Sequence, residues 1–465
     1  RVGGHSDLDD TTSGTIYRIA PKGFKSQVPK LDLTTTEGQV EALRSPAGNV
    51  RHSGFVLLQA QGTAAVPAVA TLLKDANPFI AARAVWLLAQ MGEAGVALVQ
   101  PLLDSPDETR RLVAYRALRR AGVEVLAMAA RLAGDHSAAI RREVALTMHD
   151  VSLEQSRSIL TSIAQRFDGH DRSYLEAFGT GCSGKEREIF AALAKDAGPA
   201  EDWSNAFAAL AWRLHSPDAV ADFKARALSA KLSNDERKRM MDALAFVQSP
   251  AAAEAMVALA LDKTFPHQAT ALWWLFNRKD NTWREYGLEA TMKQRGLYDP
   301  DAVTLSSIVS PDPAEHPLTL PPAADIASMK GDVERGKLAI SVCYTCHQIG
   351  GQGVEFGPDL TQFGKTQTRE VVLGAILNPS ADIAHGYEGS RVTTTDGLTI
   401  DGILVTSGDP VSVRSVAGQT QIVPRKRVKQ ISKLKHSLMF PPDMLGLTPQ
   451  ALADIVAYLQ SDALK

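Results

Sequence analysis

The sequence predicts a mainly α-helical protein, with a solenoid of helix pairs followed by a helical domain that carries a small inserted β-sheet. Three observations predict this fold class: a helical repeat of 30 residues in the first half, a Pro-rich stretch after residue 300, and a short strand-like region within the C-terminal part. At 465 residues the chain is too long for one hydrophobic core, so two or three domains are expected.

The repeat is visible in three segments that align without gaps: SPAGNVRHSGFVLLQAQG, DANPFIAARAVWLLAQMG and SPDETRRLVAYRALRRAG. They end at Gly62, Gly92 and Gly122, and a fourth block starts at Asp135. Each block opens with a helix-capping residue and then places apolar side chains at helical intervals. A second short helix follows each glycine. Helix pairs of this length cannot bury their apolar faces alone, so we expect neighbours to stack into a solenoid that resembles short HEAT repeats.

The composition predicts four regions along the chain. Residues 1–27 are an N-terminal tail in which GTIYRIAPKG alternates like a strand, either the end of a larger unit or an ordinary flexible terminus. Residues 28–300 are the helical repeat domain, although the period blurs after about residue 150. Residues 301–328 contain SPDPAEHPLTLPPA and are predicted to be an extended linker. Residues 329–465 are the C-terminal domain.

The C-terminal domain contains SVCYTCHQIG, in which two residues separate Cys343 from Cys346 and His347 follows directly. A zinc site needs four ligands, and with only Cys182 left the others would be scattered histidines or carboxylates. A redox dithiol needs a strand-to-helix setting and has no use for the histidine. A covalent haem c uses every residue, because both thiols add across the haem vinyl groups and the imidazole binds iron. The motif favours haem c, with zinc and the dithiol as alternatives.

The surroundings of this motif resemble class I cytochromes c. GDVERGKLAISVCYTCH is similar to the opening of that family, and Gly336 and Ile340 fall where the family keeps a glycine and a larger apolar residue. GPDL, which contains Pro358, resembles the family's Gly-Pro-x-Leu loop, in which the proline packs on the imidazole and its carbonyl holds the other ring nitrogen. The resemblance implies that Pro358 supports the iron ligand His347. Thr448 and Pro449 start a predicted closing helix.

The resemblance also implies a sixth iron ligand shortly before the closing helix. Met439 and Met444 lie in SLMFPPDMLGLT, and Met439 matches the family position better because prolines follow its Ser-Leu-Met stretch. Either methionine is alternatively a core residue, and His385 and His436 are further candidate ligands. A methionine ligand would raise the reduction potential relative to a second histidine.

Residues 387–432 are predicted to form a β-sheet inserted into this domain. YEGSRVTTT, LTIDGILVT, VSVRSV and TQIVP alternate like strands, and Asp396-Gly397 reads as a hairpin turn. The following PRKRVKQISKLKH carries six basic residues and no acid. It is interpreted as a protected edge strand, with steering of an acidic redox partner as the alternative.

The combination of repeats, linker and CxxCH domain resembles the PVC-type haem-binding proteins, a family of secreted or envelope proteins often labelled membrane-bound dehydrogenases. TALWWLFNRKD, RGLYDPD and DGHDRSYLEAFG are further points of similarity. A sugar-dehydrogenase-like β-propeller often precedes the repeats in that family, and GTIYRIAPKG is similar to its last strand. The family match implies a periplasmic or cell-envelope location. It leaves the substrate and any enzymatic activity of this chain open.

The expected function is one-electron transfer between a donor dehydrogenase, fused or separate, and a downstream acceptor protein. Fifty basic residues against 52 acidic ones give no general reason to expect nucleic acid as a partner. No uninterrupted apolar run reaches the length of a membrane-spanning helix, so no membrane span is expected. One alternative is a scaffold whose repeats bind a protein or polysaccharide. Another is a haem enzyme or gas sensor with an open sixth site.

Two smaller features are interpreted as structural. Trp273 and Trp274 are paired aromatic residues in a helical pattern and are expected to belong to the core, with a position near the haem or a partner as the alternative. Cys182 is expected to be a buried, small apolar residue.

Overall fold

The computed structural model describes residues 21–25, 30–313, 315 and 318–464. Over these residues the chain is mainly helical with a small antiparallel sheet region near the C-terminus, which confirms the fold class at this level. GTIYRIAPKG lies almost entirely outside the described residues, so its predicted strand stays a prediction. The chain divides into two compact units between Asp218 and Ala219, within the predicted repeat domain. The predicted domain boundaries remain predictions.

The first helices of the four blocks in the first unit follow the 30-residue spacing of the sequence. The first helices of the four blocks begin at Gly48, Pro78, Glu108 and Ala138. The helices that begin at Pro78 and Glu108 each contact the first helix of the next block, and the helix that begins at Gly48 contacts the 3-10 helix that follows it. The α-helices of this unit are α1 (Thr36–Ala42), α2 (Gly48–Gln61), α3 (Val66–Ala70), α4 (Pro78–Leu88), α5 (Gly92–Val99), α6 (Glu108–Arg120), α7 (Val125–Leu132), α8 (Ala138–Thr147), α9 (Leu153–Ala164), α10 (Arg172–Gly181), α11 (Glu186–Ala194) and α12 (Asn205–Leu214).

An arginine recurs at one position of the repeat and makes the same hydrogen bonds in three of the blocks. Arg51, Arg111 and Arg141 occupy equivalent positions, and each guanidinium donates to the backbone carbonyls six and five residues before it, at 2.6–3.2 Å. These carbonyls belong to the loop that enters the helix, where nothing in the helix itself can satisfy them. The second block has Ala81 at this position and lacks the bond. The arginine thus stabilises the entry to three of the four block helices.

One stretch of the first unit, Gly48–Lys74, is long and apolar enough to cross a membrane by length and composition alone. This stretch is an exception to the sequence expectation that no apolar run is long enough to span a membrane. The stretch is not one straight helix, because Gly62 has a φ of 57° and separates α2 from the 3-10 turn that leads into α3. The same break between paired helices recurs at Gly92 and Gly122, which favours repeat helices over a membrane span.

The second unit contains the remaining helices and the sheets. Its α-helices are α13 (Val220–Leu228), α14 (Asn234–Leu244), α15 (Pro250–Leu261), α16 (Gln268–Lys279), α17 (Leu288–Gln294), α18 (Ala323–Ala327), α19 (Val333–Ala339), α20 (Phe363–Thr366), α21 (Arg369–Leu377) and α22 (Pro449–Leu459). Thr448 accepts a hydrogen bond from the Ala451 amide and Pro449 occupies the first turn of α22, which confirms the predicted start of this helix. Helices α18, α19, α21 and α22 share one apolar core that contains Ile340 and Ile349.

The inserted sheet has five antiparallel strands in the order β6-β5-β4-β3-β7. The strands are β1 (Gln348–Ile349) and β2 (Gln352–Gly353), which pair only with each other, and β3 (Gly389–Thr394), β4 (Thr399–Thr406), β5 (Val411–Arg414), β6 (Thr420–Val423) and β7 (Val428–Lys433). All four predicted strand sequences form strands. The basic β7 lies at an edge of the sheet, and Lys429 and Lys433 are exposed there, as the edge-strand interpretation requires.

Part of the Pro-rich segment is bound to this sheet. The Ile308 amide donates to the Thr399 carbonyl at 2.9 Å, and the Asp401 amide donates to the Ile308 carbonyl at 2.7 Å, so Ile308 pairs in parallel with β4. The Gln421 side chain both donates to and accepts from the backbone of Ser306. The segment is therefore extended here, and it fills a place in the sheet beside β4.

Ion pairs and apolar packing hold the two ends of this segment. Asp301 pairs with Lys293 of α17 and with Lys426 in the turn between β6 and β7. At the other end, Ile326 of α18 is fully buried in the C-terminal helical core. The described residues of the predicted linker are consequently attached to structure on both sides, and they belong to the same compact unit as α13–α17.

Candidate functional site

The CxxCH residues lie on a tight turn directly after α19. A 3-10 helix, Ile340–Thr345, carries Cys343, and the amides of Cys346 and His347 both donate to the Cys343 carbonyl, at 3.1 and 2.8 Å. This turn brings two thiols and one imidazole into a single loop. The cysteines are not joined by a disulfide.

The imidazole of His347 is fixed by the loop that contains Pro358. Its Nδ1 lies 2.7 Å from the Pro358 carbonyl oxygen, which only accepts, so the proton of the neutral ring is on Nδ1. Burial lowers the pKa of His347 and this hydrogen bond opposes the shift in part. The ring is therefore favoured in its neutral form, with the lone pair of Nε2 available to a ligand.

Gly357 lets this loop approach the ring closely. A Cβ at position 357 would lie 2.5 and 2.7 Å from Cε1 and Nδ1 of the His347 imidazole, which is too close for any side chain without a shift of the ring. The Gly357 amide also donates to the Cys346 carbonyl at 2.6 Å. The Gly-Pro pair thus contacts the imidazole twice, through the close approach of Gly357 and through the Pro358 carbonyl at Nδ1.

Both thiols of the motif are held as neutral groups. Burial raises the pKa of Cys343 to about 11 and also raises the pKa of Cys346. A redox-active dithiol needs the opposite shift, because the thiolate is the nucleophile and its pKa is lowered in such proteins. The environment of Cys343 and Cys346 therefore does not favour the dithiol alternative.

The donor groups near the motif are compatible with a haem. Within the described part of the chain, no group of three or more His, Cys, Asp or Glu side chains is arranged to hold a metal ion. A structural zinc site would need four such ligands, whereas haem iron takes four nitrogens from the porphyrin and one or two ligands from the protein. A single oriented imidazole beside two free thiols meets the second requirement.

Helices α19 and α22 cross at backbone contact beside the motif. A Cβ on Gly336 would lie 2.0 Å from the Asp454 carbonyl oxygen, so only glycine allows this crossing. Ile340, at the start of the 3-10 turn, is fully buried in the same core. The two positions singled out by the cytochrome resemblance therefore lie where α19 meets the last helix.

An ion pair between α19 and α22, which the sequence did not reveal, stabilises this crossing. The Asp454 carboxylate, only 4% exposed, accepts from Arg335 Nε at 2.8 Å and Nη2 at 3.0 Å. It also accepts from the Asp332 backbone amide at 2.8 Å and from the Gln450 side chain at 2.9 Å. These hydrogen bonds lower the pKa of Asp454, with Arg335 as the largest cause. A clue was present in the sequence, since Asp454 interrupts the apolar run ALADIVAYL.

The candidate sixth ligands differ in their exposure. Met444 is 46% exposed and the His385 ring is fully exposed. Met439 is half-buried and follows Leu438, which is buried in an apolar cluster against which Cys346 packs. The His436 side chain is 13% exposed. Met439 and His436 are thus the sequestered candidates, and the assignment of Met439 as a ligand stays a prediction.

Trp273 and Trp274 are half-buried, so the expectation that both belong to the core is met only in part. Trp274 donates from its indole to Asp242 at 2.8 Å, and both its ring and that of Phe246 contact the Arg278 guanidinium, at 4.9 and 4.7 Å. Trp273 packs edge-on against Trp274. Cys182 is fully buried, which raises its pKa to about 12, so it matches the expected small apolar residue.

Comparisons with known proteins leave the family of the chain open. No protein-family model and no curated protein matches it. Two crystal structures of engineered proteins from the Northeast Structural Genomics Consortium resemble part of the chain. One is 16% identical with a TM-score of 0.29, over 52% of this chain and 78% of the other. The second is 18% identical with a TM-score of 0.16, over 56% and 94%. Scores this low carry no argument about fold or function.

Proposed function

We propose that this chain is a c-type cytochrome module that transfers single electrons through a haem attached covalently at Cys343 and Cys346. The observation that carries the proposal is the hydrogen bond of 2.7 Å between His347 Nδ1 and the Pro358 carbonyl. It selects the tautomer whose Nε2 can bind iron, and an acceptor of this kind raises the basicity of the ligand. The bond occurs at the one histidine that the CxxCH pattern assigns to iron.

Each residue of the site would have a separate task. Cys343 and Cys346 would hold the haem covalently, His347 would be the proximal iron ligand, and Met439 would be the sixth ligand. The bound haem would supply a one-electron iron couple. Gly357 and Pro358 keep the imidazole in place, and the crossing of α19 and α22 keeps the loop in position relative to the core. The protein would contribute orientation and tuning of the potential.

We also propose the larger architecture that the sequence implies. The 30-residue spacing of helix starts from Gly48 to Ala138 supports a HEAT-like solenoid, and the five-stranded insert supports the likeness to PVC-type haem-binding proteins. The electron donor would then be a fused or separate dehydrogenase, and the acceptor a further redox protein. Covalent haem c in such proteins implies the periplasm or cell envelope.

A pyridine haemochrome assay tests the proposal directly. The chain expressed with a cytochrome c maturation system should carry one covalent haem, and Cys343→Ser/Cys346→Ser should carry none. Cys182→Ala is the matched control, because that cysteine lies outside the motif in the first unit. A wild-type protein without haem under these conditions would refute the cytochrome function.

The visible spectrum of the haem-loaded protein tests the sixth ligand. Methionine ligation gives a weak far-red band in the oxidised form, and this band should disappear in Met439→Ala and persist in Met444→Ala. A high-spin spectrum in the wild-type protein would instead support the enzyme or sensor alternative with an open site.

A groove in the first unit supports a second candidate function, the binding of a polysaccharide or protein by the repeats. The groove has a volume of about 660 Å³ and is lined by Gln59, Gln90, Glu93 and Val96, among others. Amide side chains over an apolar floor can hydrogen-bond hydroxyl or peptide groups. In affinity gels containing polysaccharide, retardation of the full chain should be lost in Val96→Glu and kept in Leu98→Glu, which changes the same helix outside the groove.

A further inference from the structure

The turn between β5 and β6 lies beside the second cysteine of the motif. This turn, Val416–Gly418, contacts the 3-10 helix that carries Cys343. Val416 packs against the same apolar cluster as Cys346, and the Ala417 backbone N–H opposes in part the rise that burial causes in the pKa of Cys346. The inserted sheet therefore reaches the motif through its β5–β6 turn.

Hydrogen bonds of Ser415, the residue before this turn, fix the position of the turn. Ser415, which is fully buried, donates from its hydroxyl to the Asp401 carbonyl of β4 at 2.7 Å, and its amide donates to the Gln419 carbonyl at 2.7 Å. Ala417 has a φ of 60°, an unfavourable conformation for a residue with a side chain, so the surrounding contacts must hold it there. Gly418 follows with a φ of 72°.

The turn also contacts the segment between the motif and the Gly-Pro loop. A Cβ on Gly418 would lie 2.8 Å from a methyl group of Val354, so glycine allows the turn to approach this segment. Val416 and Val354 pack with Cys346 around a small apolar cluster whose buried members are Phe356, Ile403 and Leu438. The cluster joins the motif, the sheet and the residue before Met439.

We propose that the β5–β6 turn is a cap on Cys346. The turn must move away before the thiol can react with a haem vinyl group, and it covers that side of the site afterwards. The inference rests on the proposed function for its haem, but the cap itself concerns only this chain. In the attachment step the sulfur bonds to one vinyl carbon and the thiol hydrogen ends on the other carbon, so no oxidant or reductant is consumed. The sulfur must be reached by its partner, which the closed turn opposes.

The experiment measures alkylation of each cysteine by iodoacetamide in the full chain without haem, with peptide mass spectrometry to separate the rates. Gly418→Val should lift the turn, because the new side chain meets Val354 and disfavours the left-handed conformation. The Cys346 rate should rise roughly fivefold or more, the factor expected when contacts worth about one hydrogen bond no longer close the turn. The Cys343 rate should change much less.

Gly397→Val is the matched control. Gly397 lies in the β3–β4 turn of the same sheet with a φ of 88°, and a Cβ added there would have nothing within 4 Å, so the change strains a turn without touching Cys346. It should leave both cysteine rates at their wild-type values. Should Gly418→Val fail to fold, Ser415→Ala introduces no larger side chain, removes the bond to the Asp401 carbonyl, and should raise the Cys346 rate by a smaller factor.

Equal Cys346 rates in wild type, Ser415→Ala and folded Gly418→Val would overturn the cap, and so would an equal rise in Gly397→Val. These results do not depend on haem. A missing haemochrome signal would refute the proposed cytochrome and leave the thiol rates intact, so the two failures are distinguishable. If both hold, Gly418→Val should also acquire haem at Cys346 faster during maturation, seen as a lower fraction of chains attached through Cys343 alone.

Discussion

Side-chain hydrogen bonds within the helical repeats of the first unit join residues that are close in the sequence, whereas those within the C-terminal site join residues that are far apart in it. In the repeats, Arg111 bonds Asp135 and Tyr115 bonds Thr147, across 24 and 32 residues. At the C-terminal site, Asp454 accepts from Arg335 across 119 residues. A defect in a repeat should therefore remain local, while a defect at the crossing of α19 and α22 should affect the whole C-terminal fold.

The largest expected effect is at that helix crossing. Gly336→Ala places a methyl group 2.0 Å from the Asp454 carbonyl oxygen, and backbone on both sides leaves no flexible atom to move. We expect a loss of roughly 2–4 kcal/mol in the free energy of unfolding. Denaturant unfolding followed by circular dichroism measures it.

Gly374→Ala is the control for this change, since Gly374 lies in helix α21 with nothing within 4 Å of the added methyl group. Higher helix propensity should stabilise it by roughly 0.5–1 kcal/mol. Equal effects of the two substitutions would show that the crossing is not tightly packed.

The next effect concerns the ion pair at the same crossing. Asp454→Asn loses the charge-assisted bonds to Arg335, which is itself 57% exposed and can be solvated, so we expect a loss of about 1–3 kcal/mol at pH 7. The folded-state pKa of Asp454 is lowered. Its contribution is therefore present above its unfolded pKa of about 4 and is lost as the pH falls through the folded value.

Unfolding of wild type and Asp454→Asn at pH 7 and in steps below pH 4 measures this linkage. The stability difference between the two proteins should shrink in acid. A difference that stays constant with pH would contradict a role for the carboxylate charge.

Replacement of a buried lysine in the first unit should destabilise only the helices around it. Lys185, 6% exposed, donates from Nζ to the carbonyls of Met148, His149 and Val151 at 2.7–3.2 Å, in the turn that follows the end of α8. Lys185→Met should destabilise this region by about 1–3 kcal/mol. Hydrogen exchange should accelerate in α8–α11 and stay unchanged at α19 and α22. Faster exchange at α22 would contradict the local character of the repeats.

The smallest effect on stability is expected at the edge of the sheet. Lys429→Thr/Lys433→Thr removes exposed charges from β7, so the free energy of unfolding should change by less than about 0.5 kcal/mol. Self-association should increase, because the free edge loses the charges that oppose strand pairing. Light scattering against concentration measures it, with Lys337→Thr on α19 as the control. Unchanged association would favour the alternative role of these lysines in steering a partner.

The features that could be predicted from the sequence depend on residues close together in the chain. The 30-residue block, the strands of the insert and the start of α22 follow from local spacing, alternation and capping, and these signals are complete within one segment. The CxxCH motif is likewise complete within five residues. By contrast, the pairing of Ile308 with β4 has no local signal, since a Pro-rich segment reads as a linker wherever it lies.

By itself, the sequence determined the helices of the four blocks, the strands of the insert, the edge-strand character of β7 and the start of α22, because each depends on side chains within a few turns of chain. Only the tertiary structure decided that Asp454 holds α19 and α22 together and that Val416 and Cys346 pack against one apolar cluster. These contacts join residues from distant segments, and their energies arise from close approach and burial, which exist only after the chain has folded.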